Sequence, residues 1–206
     1  MSCCAAQIDL SICKGIDFNI SLRLEVLPLV YKPITAIQNS APARLTVTGH
    51  GIPEDWRVAV ISAQGLTQLN ALNSPPKKKD FRRATVVDAN TIEFNDTVTV
   101  DNPAHTANTG YVMYYSPVNL SAYTSARMQI KDAVGGTEHV LLTTGNGRII
   151  LDNTLKRISL NIPSAVTAAL AITSGVYDLE LVTAAGVVDP CASGVVSVCD
   201  EVTTAV

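Results

Sequence analysis

Ser125-Ala-Arg-Met-Gln-Ile-Lys131 alternates residue by residue: Ala126, Met128 and Ile130 point one way, and Arg127, Gln129 and Lys131 the other. A period of two marks a strand with one buried face. Working outward, Gly145-Asn-Gly-Arg-Ile-Ile-Leu151 offers a hairpin turn followed by a short apolar run. Lys156-Arg-Ile-Ser-Leu-Asn-Ile162 places Ile158, Leu160 and Ile162 on one face, and Pro163 ends it. Ser164 has the hydroxyl to cap a brief helix with Val166, Ala169 and Leu170 on one side. Gly175 then turns the chain into Val176-Tyr-Asp-Leu-Glu-Leu181, with Tyr177, Leu179 and Leu181 inward. Packing, turning and capping explain each distinctive residue of this run, so it reads as a scaffold.

The chain start alternates as strongly. Ile8, Leu10 and Ile12 interleave with Asp9 and Ser11, and Phe18, Ile20, Leu22, Leu24 and Val26 interleave with Asn19, Ser21, Arg23 and Glu25. Near the other end, Gly194-Val-Val-Ser-Val-Cys-Asp-Glu-Val-Thr203 reads as a closing strand. The order Ala126-Arg-Met-Gln-Ile-Lys131, Gly147-Arg-Ile-Ile-Leu151, Arg157 to Leu170 and Gly175-Val-Tyr-Asp-Leu-Glu-Leu181 resembles the N-terminal β-sandwich domain of bacteriophage baseplate upper proteins and related tail-fibre attachment proteins. The opening and closing strands are similar to that family's as well, so the resemblance covers roughly half of the chain. It implies a domain that anchors a receptor-binding device to a virion and performs no chemistry.

Between these halves lies an apparent insertion. Pro28 and Pro33 read as its exit and Pro117 as its return, because proline cannot continue a hydrogen-bonded ladder. The insert has strand signals of its own at Arg44–Thr48, Trp56–Ile61, Ala84–Val87, Thr91–Phe94 and Tyr111–Tyr115. The segment from Thr46 through Gly49-His-Gly51 and Asp55-Trp56 to Ile61, with Thr85 to Phe94, resembles a small β-barrel module recurrent in phage tail proteins, one likened to a barrel of ubiquitin-activating enzymes. Only the barrel is shared, so no adenylation is implied. The module usually places Gly-Asp before its second strand, whereas this chain has Asp55-Trp56; the expectation is a disturbed tight turn, with Trp56 covering one end of the barrel. The fold expected is all-β: an antiparallel β-sandwich, immunoglobulin-like or similar, from residues 1–31 and 120–206, with one short helix and a small β-barrel inserted at 32–119.

Composition narrows the function classes. The chain has 206 residues, 47% hydrophobic and only 16% charged, where about a quarter charged is usual. So apolar a chain is expected to cover surface against partners. A formal net charge of −3 opposes nonspecific nucleic-acid binding, which needs a basic surface. The basic cluster Lys77-Lys-Lys79 with Arg82-Arg83 follows Ser74-Pro-Pro76 and reads as a solvated loop tip. Met1-Ser-Cys-Cys-Ala-Ala-Gln7 has neither the basic start nor the apolar core of a secretory peptide, and no run suits a membrane span. Expression in a host cytoplasm is expected, where the five cysteines stay thiols; Cys13 and Cys199 read as small buried hydrophobes.

Catalysis, cofactor binding and metal binding have no candidate constellation. His50 lies between glycines, His105 in a polar loop and His139 beside a hairpin loop after Gly135-Gly136. No Gly-x-Ser-x-Gly, His-Glu-x-x-His or phosphate-loop motif occurs. Of Tyr111, Tyr114 and Tyr115, alternation sets Tyr114 apart from the other two, so at least one ring is expected outside. The expectation is a non-enzymatic, homo-oligomeric structural virion protein of a tailed phage, an adaptor or attachment piece of the tail, baseplate or fibre whose partners are other virion proteins, with neither nucleic acid nor membrane. Its exposed edges and its ends, Met1–Gln7 and Glu201–Val206, are expected to pair with neighbouring subunits. A capsid decoration or head-fibre base is the structural alternative, and a carbohydrate-binding module contacting the host surface the other.

Overall fold

A computed structural model of the chain describes residues 6–200. Within them the protein is all-β, with one short α-helix. The chain opens with β1 (Ala6–Gln7), β2 (Leu10–Cys13) and β3 (Phe18–Leu22). It continues through β4 (Glu25–Pro33), β5 (Ala36–Gln38), β6 (Ala43–Thr46), β7 (Trp56–Ile61), β8 (Arg82–Asp88), β9 (Thr91–Phe94) and β10 (Tyr111–Pro117). The last part holds β11 (Tyr123–Lys131), β12 (Glu138–Thr143), β13 (Ile149–Asp152), β14 (Arg157–Ile162), α1 (Ser164–Ala168), β15 (Ser174–Thr183) and β16 (Val188–Cys199). These elements form two compact units, one comprising the chain up to Leu24 and from Asn119 onward, the other Glu25–Val118.

In the first unit one sheet runs β1-β16-β15-β11-β12, with β2 also on β16, and a second runs β13-β14-β3. The alternation predicted for β11, β14 and β15 is present: Ala126, Met128, Ile130, Ile158, Leu160, Ile162, Tyr177, Leu179 and Leu181 are all buried. Met128 faces Leu142 on one side and Leu179 on the other, so β11 is an interior strand. Three details differ from the sequence reading. First, the large sheet is mixed, because β1 and β2 run parallel to β16; strands far apart in sequence have no hairpin forcing them antiparallel. Second, Gly145-Asn-Gly147 is a turn, with Gly147 at φ +74 and its N–H on the Thr144 carbonyl at 3.2 Å, but no hairpin. It carries the chain from β12, paired with β11, to β13, paired with β14 in the other sheet. Third, Ser164 does not cap α1. The Ser164 N–H instead donates to Asp17 Oδ1 at 2.6 Å, and Thr167 and Leu170 are the buried residues there, Thr167 Oγ1 donating to the Ile16 carbonyl at 2.9 Å.

The second unit is one seven-stranded sheet in the order β4-β10-β7-β8-β9-β6-β5, each neighbouring pair antiparallel. Its terminal strands β4 and β5 are separated in sequence only by Ile34 and Thr35. Ala36 is three residues beyond Pro33, a reach of about 11 Å at most, so the sheet must curl until its two ends approach. Backbone bonds hold the join: Thr35 N to Thr46 O at 2.9 Å, Ile34 N to Gly110 O at 3.0 Å and Asn108 N to Thr35 O at 3.0 Å. Trp56, Phe94, Leu45, Ile92, Leu66 and Leu69 pack in the resulting core.

Phe18–Val26, read as one strand, is two: β3 ends at Leu22 and β4 begins at Glu25 in the other unit. Pro28 does not mark an exit from pairing, since β4 runs through it and ends only at Pro33, itself paired with Tyr111. A terminal strand tolerates a missing N–H, and the register steps from Tyr115↔Leu29 to Ser116↔Val26, leaving Leu27 and Pro28 in a bulge. Ser116 Oγ donates to the Pro28 carbonyl at 2.7 Å across it. The tight turn before Trp56 also forms without glycine. Asp55 takes φ +59, a conformation Asp tolerates better than most residues, and Trp56 N reaches Pro53 O at 3.2 Å.

Glu25 and Pro117 are register partners, so the chain enters and leaves the second unit on adjacent strands about 5 Å apart. Replacing Glu25–Val118 with a short Gly-containing linker is expected to leave the first unit folded. A β-type far-UV spectrum with a cooperative melt is the expected result; a non-cooperative chain would show that the first unit depends on the second.

Candidate functional site

The terminal strand β4 combines non-alternating apolar residues with an edge that bears no strand partner among the described residues. Val26, Leu27 and Tyr31 are exposed, Leu27 by 72% and Tyr31 by 51%, and Tyr111 on β10 adds a ring exposed by 46%. Beside them lies a groove of about 590 Å³. Its strand-borne lining is Leu29 and Tyr31 of β4, Met113 and Tyr115 of β10 and Ile61 of β7. Pairing aligns Met113 with Tyr31 and Tyr115 with Leu29. Met113 is itself buried, which makes it the floor.

The remaining lining comes from Ser62 and from Asn70–Ala71 and Asn73–Pro76, two segments that a pair of polar residues hold in shape. Asn70 Nδ2 donates to the Ala63 carbonyl and its Oδ1 accepts from Ala63 N, both at 2.9 Å. Asp80 gathers the following loop, accepting from Lys77 N at 2.7 Å, Asn73 Nδ2 at 2.8 Å and Leu72 N at 3.3 Å. The Lys77 amide is the main cause holding the Asp80 carboxyl below the usual carboxylate range; burial works the other way, and Asn73, Leu72 and the Lys79 charge add to the lowering. Ion pairing also steadies the first residue of β4: Arg57 Nε donates to Glu25 Oε1 at 2.9 Å, and that bond raises the guanidinium pKa.

Because the folded chain depresses its pKa, Asp80 favours folding in its ionised form. Its contribution is complete above the unfolded value near 3.8 and is lost as pH falls through the lower folded value. Asp80→Asn is therefore expected to lower the melting temperature at neutral pH, the gap to the parent protein narrowing as pH drops below the unfolded value. Melts across that range check it. Lys77→Ala keeps the backbone amide and removes only an exposed side chain, so its expected change is within about 0.5 kcal/mol.

The other residues weighed in the sequence are structurally employed. His50 is buried; its Nδ1 accepts from Ile52 N at 2.9 Å, which leaves Nε2 to donate to the Asp88 carbonyl at 2.8 Å. His105 repeats the arrangement, accepting from Ile37 N at 3.2 Å and donating to Thr109 O at 3.0 Å. His139 is the second residue of β12, beside the loop of the β11–β12 hairpin. Lys77, Lys78 and Lys79 are exposed as a loop tip, while Arg82 donates to the Leu69 carbonyl at 3.0 Å and Arg83 pairs with Asp55 at 3.2 Å. Tyr114 is the buried tyrosine of β10, donating to the His50 carbonyl at 2.6 Å, with burial raising its pKa. Cys13 and Cys199 are exposed, contrary to the buried reading; Cys191 is the buried thiol, pushed up to about 12 by burial. Among the described residues no group of three or more His, Cys, Asp or Glu is placed to hold a metal ion.

A second groove of about 500 Å³ lies on β3, β14 and β13 of the first unit, where Ile20, Ile150 and Leu160 line it together with polar residues. Pairing sets Asn19 beside Asn161 and Ser21 beside Ser159, and Arg148 and Arg157 complete the polar lining. Arg157 Nε is buried without a hydrogen-bond partner. Asp152, opposite Arg157 across the ladder, instead accepts from Leu155 N at 2.9 Å. Neither groove was legible in the sequence, since each assembles strands from distant segments. The one available signal was the unbroken apolar run Val26–Tyr31. No family model matches the chain, and no curated protein matches it.

Proposed function

We propose that the protein is a structural subunit of a tailed-phage virion, an adaptor or attachment piece of the tail, baseplate or fibre apparatus, assembled in the host cytoplasm and working as a homo-oligomer against other virion proteins. On this reading the first unit is a β-sandwich and the curled second unit a small β-barrel inserted into it. The resemblance of the strand sequence to phage attachment domains motivates the assignment. The observation that carries it is β4, an edge strand with Leu27 and Tyr31 exposed beside a groove of mixed polar and apolar lining. An edge of this kind accepts a strand or loop from a neighbour, because pairing satisfies its backbone groups and covers its apolar side chains. Of the chain ends assigned the same role, Ala6–Gln7 is already paired within the chain, on Ala192–Ser193; residues 1–5 and 201–206 lie outside the described residues.

The test is light scattering of the purified chain at rising concentration, beside a variant carrying Leu27→Asp and Tyr31→Asp. Expected is an oligomer that the double variant abolishes without lowering the melting temperature, since both residues are exposed. A monomer at every concentration would remove the homo-oligomer. Mass spectrometry of separated heads and tails addresses location; recovery with heads alone would replace the tail assignment with a capsid decoration or head-fibre base.

The groove on β3, β14 and β13 favours a carbohydrate-binding module as second reading, since its paired amides and hydroxyls beside two guanidinium groups suit an acidic glycan. A glycan array decides it: retention on carboxylated glycans that is lost in Arg157→Ala supports this reading, and no retention removes it.

A further inference from the structure

Cys13 and Cys199, the last residues of β2 and β16, are direct register partners in a parallel ladder. Strands so paired lie about 4.8 Å apart, inside the range of about 4.4–6.8 Å over which a disulfide joins two Cα positions. Register partners project to the same side of a sheet, and here that side is open: Ile12 and Val198, the preceding pair, are buried, whereas Cys13 and Cys199 are both exposed. The pair is also held in place. Lys14 N donates to the Cys199 carbonyl at 3.0 Å, and one step further Lys14 Nζ meets Asp200 Oδ1 at 2.7 Å, closing the end of the ladder. Cys191, on the same strand, is buried and held as a thiol by the upward shift of its pKa, so it does not compete.

The geometry points to Cys13 and Cys199 as a reversible dithiol/disulfide site that staples the first strands of the unit to its last. The step needs a small disulfide oxidant such as glutathione disulfide. One cysteine thiolate attacks a sulfur of the oxidant and expels one glutathione thiol; the second thiolate then displaces the other glutathione from the mixed disulfide. The pair gives up two electrons and two protons, and the oxidant leaves as two thiols. In a reducing cytoplasm the site stays open, and outside the cell it closes. Closure constrains a loop comprising almost the whole chain, and long loops gain most from a cross-link. This inference stands apart from the proposed virion role.

The experiment uses the full chain carrying Cys3→Ser and Cys4→Ser, incubated with glutathione disulfide, alkylated and mapped by peptide mass spectrometry. Expected is a Cys13–Cys199 cross-linked peptide, absent after dithiothreitol treatment and absent in Cys13→Ser, with a higher melting temperature for the oxidised protein. Recovery of both cysteines alkylated, or of each carrying glutathione without the cross-link, would overturn the inference. Cys13→Ser also supplies the control that oxidation leaves the melting temperature unchanged once the pair is broken.

Discussion

Met128→Asp is expected to abolish folding of the first unit while leaving the second intact. Met128 is 1% exposed on β11, between Leu142 of β12 and Leu179 of β15. An aspartate there would sit among Ala126, Ile130, Leu142, Leu179 and Leu181, its buried apolar neighbours in register. An unpaired buried carboxylate either costs several kcal/mol or takes up a proton to escape the charge, and the lost methionine packing adds about 2–5 kcal/mol. Together these costs are comparable with the whole stability of a domain, about 5–15 kcal/mol. The protein carries one tryptophan, Trp56, and it lies in the core of the second unit. Indole fluorescence therefore reports the second unit alone. The expected result is loss of protected amides in β11, β14 and β15 by hydrogen exchange with the tryptophan emission unchanged. Protected amides in β11 at parent levels would mean that the register is wrong, and a shifted emission would mean that the two units fold as one.

The same strand shows what sequence can and cannot disclose. β11, β14 and β15 were legible because each has one face buried, so a period of two is imprinted on every residue. Strand existence is local information; strand partnership is not. Nothing within Gly145-Asn-Gly147 says whether its flanking strands pair with one another or leave for different sheets, and here they leave. Likewise Leu10 and Ile12 announce a buried face, yet their partner lies at Val196 and Val198 and runs parallel. β4 was misread for a physical reason: proline excludes a central strand, but a terminal strand with a bulge places Pro28 where no ladder bond is required. Cys13 and Cys199 were read as buried from residue type alone, although the alternation that buries Ile12 and Val198 already turns their neighbours outward. Of the candidate sites, alternation set Tyr114 apart from Tyr111 and Tyr115 without saying which side is buried; the fold buries Tyr114 and exposes Tyr111. The groove beside Tyr31 did not follow from alternation, because β4, β10, β7 and the Asn70–Pro76 loop come together only in the folded sheet.

Truncation of Trp56 is expected to be the most damaging single apolar change in the second unit. Trp56 is 0% exposed at the start of β7 and belongs to a core that includes Phe94, Leu45 and Ile92. Two effects combine in Trp56→Ala. Removing a buried indole costs about 3–5 kcal/mol through lost transfer energy and the cavity left behind. The Tyr115 carbonyl, which accepts from Trp56 Nε1 at 2.9 Å, loses its donor, adding about 1–3 kcal/mol if the group stays dry. Trp56→Phe separates the two, since it keeps most of the ring volume and forfeits the donor, and its expected cost is the smaller. Tyr115 also lines the groove beside β4, so weakening its anchor should loosen that surface before the core opens. Hydrogen exchange read at β7 and β10 amides provides the measurement, as fluorescence is lost with the indole. The expected order of protection is parent, Trp56→Phe, then Trp56→Ala with little remaining, and protection in β11 and β15 of the first unit unchanged throughout. If Trp56→Ala retained parent protection in β7, the indole would not be the centre of the core that closes the curled sheet.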